Sequence, residues 1–140
     1  MTIIANVYKD AALTEAFDDA TDFAFAQAVN GSSGDGSFWV GTPTATNKLE
    51  AASDPGVDPI EIAIADGSPG GGVEATHIKL ALTEAGLDTA TGGAALSLGA
   101  QILGGAGNAV RVWYRWTNST GGGESTEITF EKTAIDESAA

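Results

Sequence analysis

The sequence predicts an all-β fold, an antiparallel sandwich or barrel of about nine short strands. Apolar and polar residues alternate with period two in several runs, and stretches rich in Gly, Pro, Asn and Asp separate those runs. The gaps between runs are too short for the helical crossovers that parallel strands need. A chain of 140 residues is long enough to build one domain with its own core.

Four runs give the clearest strand signal because each places apolar residues on one face and polar or small residues on the other. They are residues 60–65, 78–82, 110–117 and 127–131. Weaker alternation predicts further strands at residues 2–8, 23–29, 37–40, 48–51 and 95–98.

The segments between these strands are expected to be turns. Glycine-rich stretches such as 31–36 and 104–107 supply the backbone freedom that tight turns need. Residues 11–20 and 83–86 are expected to form loops or single turns, with Thr83 as the cap of the second.

The C-terminal part of the chain predicts a long hairpin. Residues 110–117 and 126–133 flank a glycine-rich loop. A single β-sandwich domain is assigned to residues 1–135, and the small and acidic residues 136–140 are expected to form a short frayed tail. Pairing in the hairpin would place Arg111 and Arg115 near Glu127 and Glu131 on the outer face.

Charge and composition exclude several kinds of partner. The chain carries 19 acidic and 6 basic residues, a net charge of −13, so nucleic acid and anionic membrane surfaces would repel it. The absence of cysteine excludes disulfides, thiolate zinc sites and cysteine nucleophiles. We expect neither a secretory leader nor a membrane-spanning segment, and no cofactor is assigned.

No catalytic or metal site is assigned. The single histidine, His77, opens a predicted strand, and no nucleophile-elbow motif surrounds any serine, so a structural histidine is expected. A small hydrolase would instead need His77 clustered with Asp and Ser side chains. Acidic groups at 18–22 and 54–58 lack the spacing of calcium-binding loops.

The strand at 110–117 carries the best candidate for a binding surface. If its valines face inward, Trp113 faces outward between Arg111 and Arg115, and tryptophan and arginine are enriched at protein-binding hot spots. Trp39, adjacent to Phe38, is a second candidate because neighbouring residues of a strand point to opposite faces. The alternatives are a sugar-stacking platform, or a tryptophan covered by a neighbouring segment with the arginines stacked on it.

Three segments resemble small virion proteins of tailed bacteriophages. Residues 6–17 resemble a short first strand followed by a Tyr-x-Asp-x-x-x-Thr turn, and residues 38–43 resemble an aromatic–Val–Gly strand end. Residues 110–116, a loop and residues 127–130 resemble the final hairpin of those proteins. The shared motifs are structural, so the resemblance assigns no catalytic residue.

The resemblance implies an immunoglobulin-like sandwich that binds the outer capsid as a decoration or cement protein. It implies the major capsid protein or other virion proteins as partners, a homo-oligomer in a symmetric assembly, and a location on the virion exterior after synthesis in the host cytoplasm. The net charge of −13 suits an exterior surface better than a DNA-facing one. The expected contact residues are Trp113, Arg111, Arg115, Trp39 and the N-terminal strand. A tail or fibre component and a carbohydrate-binding (receptor-binding) module are the alternatives.

Overall fold

The computed structural model describes residues 3–18, 33–66, 75–117 and 128–140. This part of the chain is all-β with antiparallel sheets, as predicted. Short 3-10 turns lie at Ala75–His77, Ala85–Asp88 and Ala106–Asn108. The strands are β1 (Ile3–Tyr8), β2 (Ala16–Asp18), β3 (Ser33–Val40), β4 (Asn47–Ala51), β5 (Glu61–Asp66), β6 (Ile78–Ala81), β7 (Leu96–Ser97), β8 (Gln101–Leu103), β9 (Val110–Thr117), β10 (Ile128–Lys132) and β11 (Ile135–Ala139).

The strands form one larger sheet and two smaller ones. The larger sheet has the order β2-β1-β3-β9-β6, and the smaller sheets have the orders β10-β5-β7 and β11-β4-β8. The longest pairing joins β3 to β9, from Ser33 opposite Thr117 to Val40 opposite Val110. These two strands form the centre of the five-stranded sheet.

The two smaller sheets continue into each other and form a second layer. Thr133 donates its N–H to the carbonyl of Glu61 (3.0 Å), and Ala134 accepts from the N–H of Ala52 (2.8 Å). On the other side, Leu98 donates to the carbonyl of Ile60 (2.7 Å). The outer strands therefore run on from β10 to β11 and from β7 to β8. The middle strands β4 and β5 do not run on in this way, because the 52–59 loop between them leaves the layer.

One hydrophobic core joins all three sheets. Phe17 and Phe38 of the five-stranded sheet contact Phe130 of β10, with ring centroids 6.2 and 5.1 Å apart, and Tyr114 contacts the same ring at 5.4 Å. Tilted aromatic pairs of this kind add about 0.5–1.5 kcal/mol each to the gain from burial. The remaining members of the core are aliphatic: Val7, Val40, Leu49, Ala51, Ile60, Ile62, Ile78, Leu80, Leu98, Ile102 and Val112.

A turn was expected at residues 31–36, but β3 begins at Ser33 and includes two of the glycines. Gly34 lies opposite Trp116, and Gly36 lies opposite Tyr114. A Cβ on Gly34 would lie 2.6 Å from the Trp116 ring, and one on Gly36 would collide with the phenol of Tyr114. Glycine makes room here for two aromatic rings, so residues 33–36 extend the strand instead of ending it.

The predicted C-terminal hairpin is wrong. Both edges of β9 are occupied, one by β3 and the other by β6, and β10 pairs with β5 instead. Arg115 therefore meets Asp35 of β3 and not Glu131, which lies opposite Ala63. Residues 118–127, including Glu127, lie outside the described part of the chain.

The expected frayed tail at 136–140 forms most of β11. Ile135 to Ala139 pair with Ala51 to Asn47 of β4. The carboxylate of Glu137 accepts hydrogen bonds from Asn47 (2.7 Å), Thr42 (3.0 Å) and Asn6 (3.3 Å), which lowers its pKa. Backbone pairing and this polar network hold the segment in place, and neither produces an alternating hydrophobic pattern in the sequence.

The other sequence expectations have mixed outcomes. Strands predicted at 2–8, 37–40, 48–51, 60–65, 78–82 and 95–98 are present with shifted ends. The short strands β2 and β8 were not predicted, and the strand expected at 23–29 lies outside the described residues. A single turn is present near residues 83–86, but it lies at Ala85–Asp88 with Gly86 inside it, and Thr83 accepts the N–H of Gly86 at 3.0 Å.

The first turn of the chain depends on Asp10. Its carboxylate accepts hydrogen bonds from the hydroxyl and N–H of Thr14 and from the N–H of Glu15 (2.9 Å). The Thr14 hydroxyl is the main reason why the pKa of Asp10 lies below its ordinary value. These bonds give the Asp-x-x-x-Thr spacing of the sequence a structural role.

Candidate interaction surface

The outer face of the five-stranded sheet brings three predicted contact residues together. On β3 and β9, Phe38, Val40 and Val112 are buried in the core, so the alternating neighbours Trp39, Arg111 and Trp113 lie on the opposite face. Trp39 lies directly opposite Arg111 in the β3–β9 register.

Arg111 lies between the two tryptophans. Its guanidinium carbon is 4.6 Å from the Trp39 ring centroid and 4.0 Å from that of Trp113, and its Nε donates to the Ser37 hydroxyl at 3.0 Å. Stacking of this kind contributes about 0.5–1 kcal/mol per pair at exposed sites and fixes the plane of the guanidinium. Stacking of an arginine on the tryptophans, one part of the alternative in which a neighbouring segment covers the tryptophan, is therefore present for Arg111.

Arg111 has no carboxylate partner among the described residues, although the chain carries a net charge of −13. It is solvent-exposed, and both tryptophans are half-buried. The guanidinium still has N–H groups available for a planar acceptor such as a carboxylate. The Arg111 guanidinium is thus exposed and oriented between two aromatic rings, in a position where it can bind a carboxylate.

Tyr8 extends this surface onto the N-terminal strand. It lies opposite Trp39 in the β1–β3 register and is half-buried, whereas its neighbour Val7 is buried in the core. The N-terminal strand predicted to make contacts thus lies beside the tryptophans. We call Tyr8, Trp39, Arg111 and Trp113 together the Arg111 patch.

Arg115 lies on the same face but has partners within the chain. Its Nε and a terminal nitrogen donate to the two carboxylate oxygens of Asp35 at 2.7 and 3.0 Å, and the other terminal nitrogen donates to Asp88 at 2.7 Å. These hydrogen bonds raise the pKa of the guanidinium, and the same contact lowers the pKa of Asp35. Arg115 therefore ties the Ala85–Asp88 turn to the sheet.

The Ala85–Asp88 turn also limits the patch on its β6 side. Leu87 is fully buried, and a Cβ on Gly86 would lie 3.2 Å from the Cβ of Ala81, which faces Trp113 across the β6–β9 pairing. The turn covers this half of the outer face. Trp39 and Tyr8 of the Arg111 patch lie on the other side of β9 from this turn, on β3 and β1.

Asp35 and Asp88, the partners of Arg115, are not among the candidates that the sequence pattern predicts. Asp35 could be found from the alternation of the strand. Once Gly34 and Gly36 are taken as strand residues, residues 35, 37 and 39 all occupy outward positions of β3. Asp88 carried no such signal, because its contact depends on how the preceding turn folds onto the sheet.

The remaining candidate residues are His77 and the acidic groups at 18–22 and 54–58. His77 ends the Ala75–His77 turn and is half-buried. No group of three or more His, Asp or Glu side chains within the described ranges could hold a metal ion. Asp54 and Asp58 lie in the 52–59 loop, whereas Asp19, Asp22 and Ser68 lie outside the residues that the structure describes.

Comparison with known protein families, curated proteins and solved structures finds no match to this chain. Within the described residues, no helix has the length and hydropathy needed to cross a membrane.

Proposed function

We propose that this chain is a non-enzymatic structural protein that binds neighbouring protein subunits through the Arg111 patch. The observation that carries this proposal is Arg111 itself, an exposed guanidinium held between Trp39 and Trp113 without a carboxylate partner in the described part of the chain. Tryptophan and arginine supply most of the binding energy in many protein interfaces.

The chemistry of the patch favours a protein surface over a sugar. A sugar-stacking platform needs an open aromatic face, but the Arg111 guanidinium lies over both rings at 4.0 and 4.6 Å. The patch instead offers a planar cation with an apolar rim, which suits a carboxylate next to an aliphatic side chain.

The resemblance to virion proteins of tailed phages supports a location for this activity. In that setting the chain decorates the outer capsid surface as an immunoglobulin-like sandwich, with the major capsid protein and further copies of itself as partners. A charge of −13 keeps the free chain soluble and away from nucleic acid until a shaped protein surface is met.

The test is binding to empty capsid shells of the phage that encodes the chain. Trp113→Ala should reduce the amount bound at saturation and leave the circular dichroism and unfolding midpoint of the free chain nearly unchanged. Leu103→Ala, which truncates an apolar side chain that is 47% exposed on β8, is the matched control and should bind like the wild type.

Two results would contradict the proposal. Shells that do not bind the wild-type chain would exclude the capsid role. Absence of binding to shells, together with glycan binding that quenches tryptophan fluorescence, would favour the carbohydrate-binding alternative.

A further inference from the structure

The 52–59 loop presents an apolar tip between two carboxylates. Val57 is 68% exposed, compared with 50% for Leu82 and 47% for Leu103. The Asp54 carbonyl accepts the N–H groups of Val57 and Asp58, each at 3.0 Å, and the Ser53 hydroxyl donates to Asp58 at 2.8 Å. These hydrogen bonds hold Asp54 and Asp58 in one turn, with Val57 between them in the sequence.

The loop lies on the opposite side of the molecule from the Arg111 patch. Leu49 and Ala51 of β4 are buried in the core, so Glu50 between them faces away from it. A Cβ on Gly56 would lie 3.0 Å from the Glu50 carboxylate, which shows that the loop folds over this outer face of the second layer. The patch and the loop therefore cannot meet within one chain.

The two surfaces are complementary in charge and in polarity. The patch has an exposed guanidinium without a carboxylate partner in the described residues, flanked by half-buried tryptophan rings. The loop has an exposed valine, and the Asp54 carboxylate beside it is exposed too. An arginine–carboxylate contact next to an aliphatic–aromatic contact is the combination found at the centre of many interfaces.

We propose that the Arg111 patch of one copy binds the 52–59 loop of a second copy of this chain. The inference rests on the proposed function, because it names the neighbour that the patch contacts. Since the two surfaces lie on opposite sides, a two-fold dimer cannot satisfy both contacts. The association is therefore head to tail and builds a closed ring or an open row of copies.

Long-range repulsion between copies of charge −13 opposes this contact at low salt. At about 0.15 M salt the screening length is about 8 Å, which damps repulsion between whole molecules but not the short contacts inside an interface. The association should therefore strengthen as salt rises from a few millimolar to that range.

Sedimentation velocity on two variants and their mixture tests the proposal. Arg111→Glu removes the patch and keeps the loop, whereas Val57→Asp disables the loop and keeps the patch. Each variant alone should lose the concentration-dependent association of the wild type, with at least about a tenfold rise in Kd. The equimolar mixture should form a 1:1 heterodimer and nothing larger, because only one intact patch can meet one intact loop.

Leu103→Asp is the matched control, since it adds the same charge at another exposed apolar position and should associate like the wild type. Circular dichroism of each variant verifies that it is folded. A wild type that stays monomeric at about 1 mM, or a mixture without a heterodimer, would overturn the inference. Binding of the wild-type chain to capsid shells is measured separately, so failure of this inference is distinguishable from failure of the proposed function.

Discussion

The two faces of the β3–β9 pair differ in what holds their aromatic residues. On the inner face, Tyr114 and Trp116 occupy the space left by two glycines, and Phe38 packs against Phe130. On the outer face, Trp39 and Trp113 are half-buried and stack on one arginine. The same two strands thus carry a packed interior on one side and a partly exposed aromatic surface on the other.

A second contrast within the outer face supports this interpretation. Arg115 donates to two carboxylates of its own chain, whereas Arg111, four residues earlier on the same strand, contacts aromatic rings and the Ser37 hydroxyl. Two arginines with identical placement in the pattern therefore have different roles. Arg115 links the Ala85–Asp88 turn to β3, whereas Arg111 has no carboxylate partner among the described residues.

The largest expected difference between the faces concerns adjacent residues of β3. Phe38→Ala should lower the free energy of unfolding by about 3–5 kcal/mol, because it leaves a cavity where a buried ring contacted three other aromatic rings. Trp39→Ala should cost less, about 1–2 kcal/mol, because its ring is only half-buried and stacks on Arg111. Urea unfolding measures the free energy of unfolding of both variants. Equal losses would contradict the proposed difference between the two faces.

The inner-face glycines give the next effect. Gly36→Ala should lower the free energy of unfolding by about 1–3 kcal/mol, because the new methyl group collides with the Tyr114 ring. Gly107→Ala is the matched control, with no atom within 4 Å of the added carbon, and should change stability by less than about 0.5 kcal/mol. If the two variants unfold alike, Gly36 does not make room for the ring.

On the outer face, the Asp35–Arg115 contact predicts a pH dependence. The hydrogen bond from Arg115 lowers the pKa of Asp35 below its ordinary value of 3.8, so the stabilisation is present above that value and is lost as the pH falls through the lowered pKa. Asp35→Asn should therefore be less stable than wild type near neutral pH, by about 0.5–1 kcal/mol, and the difference should vanish in acid. Thermal unfolding across this pH range measures it.

Asp54→Asn is the control for that series. It removes an exposed carboxylate that contacts no cation in the described part of the chain, so its stability should follow that of the wild type at every pH. A constant difference between Asp35→Asn and wild type down to strongly acidic pH would contradict the assigned contact.

The smallest effect on stability is expected for Arg111→Lys. Lysine keeps the charge but loses the planar group that stacks on both rings, so the free energy of unfolding should fall by about 0.5 kcal/mol or less. Acrylamide should quench the tryptophan fluorescence more strongly, because Trp39 and Trp113 become more accessible. A loss of stability as large as that of Phe38→Ala would show that the patch is part of the core.

The sequence predicted the strands that alternate, the outward placement of Trp113 if the valines of that strand face inward, and opposite faces for Phe38 and Trp39, because all three follow from the period of a strand. It failed where tertiary contacts decide the outcome. Gly34 and Gly36 are typical of a turn until Trp116 and Tyr114 are placed opposite them. The partner of β10 could not be predicted, since adjacent hydrophobic strands give the same pattern whether or not they pair.

Neither the edge strand β11 nor the partners of Arg115 could be predicted from the alternation of apolar and polar residues. The strand is held by backbone pairing and by Glu137, and it buries little apolar surface of its own. Asp88 reaches Arg115 only because the turn that contains it folds onto the sheet. Contacts of this kind depend on the three-dimensional course of loops, which local periodicity does not encode.

The central claim, that the outer face binds protein while the inner face folds the chain, can be tested directly by oxidative footprinting. The reactivities of Trp39 and Trp113 would be measured on the dispersed chain and on the chain bound to capsid shells. We expect both tryptophans to be protected in the bound state, with Val57 protected alongside them if copies associate head to tail. Equal reactivity of Trp39 and Trp113 in the two states would contradict the account.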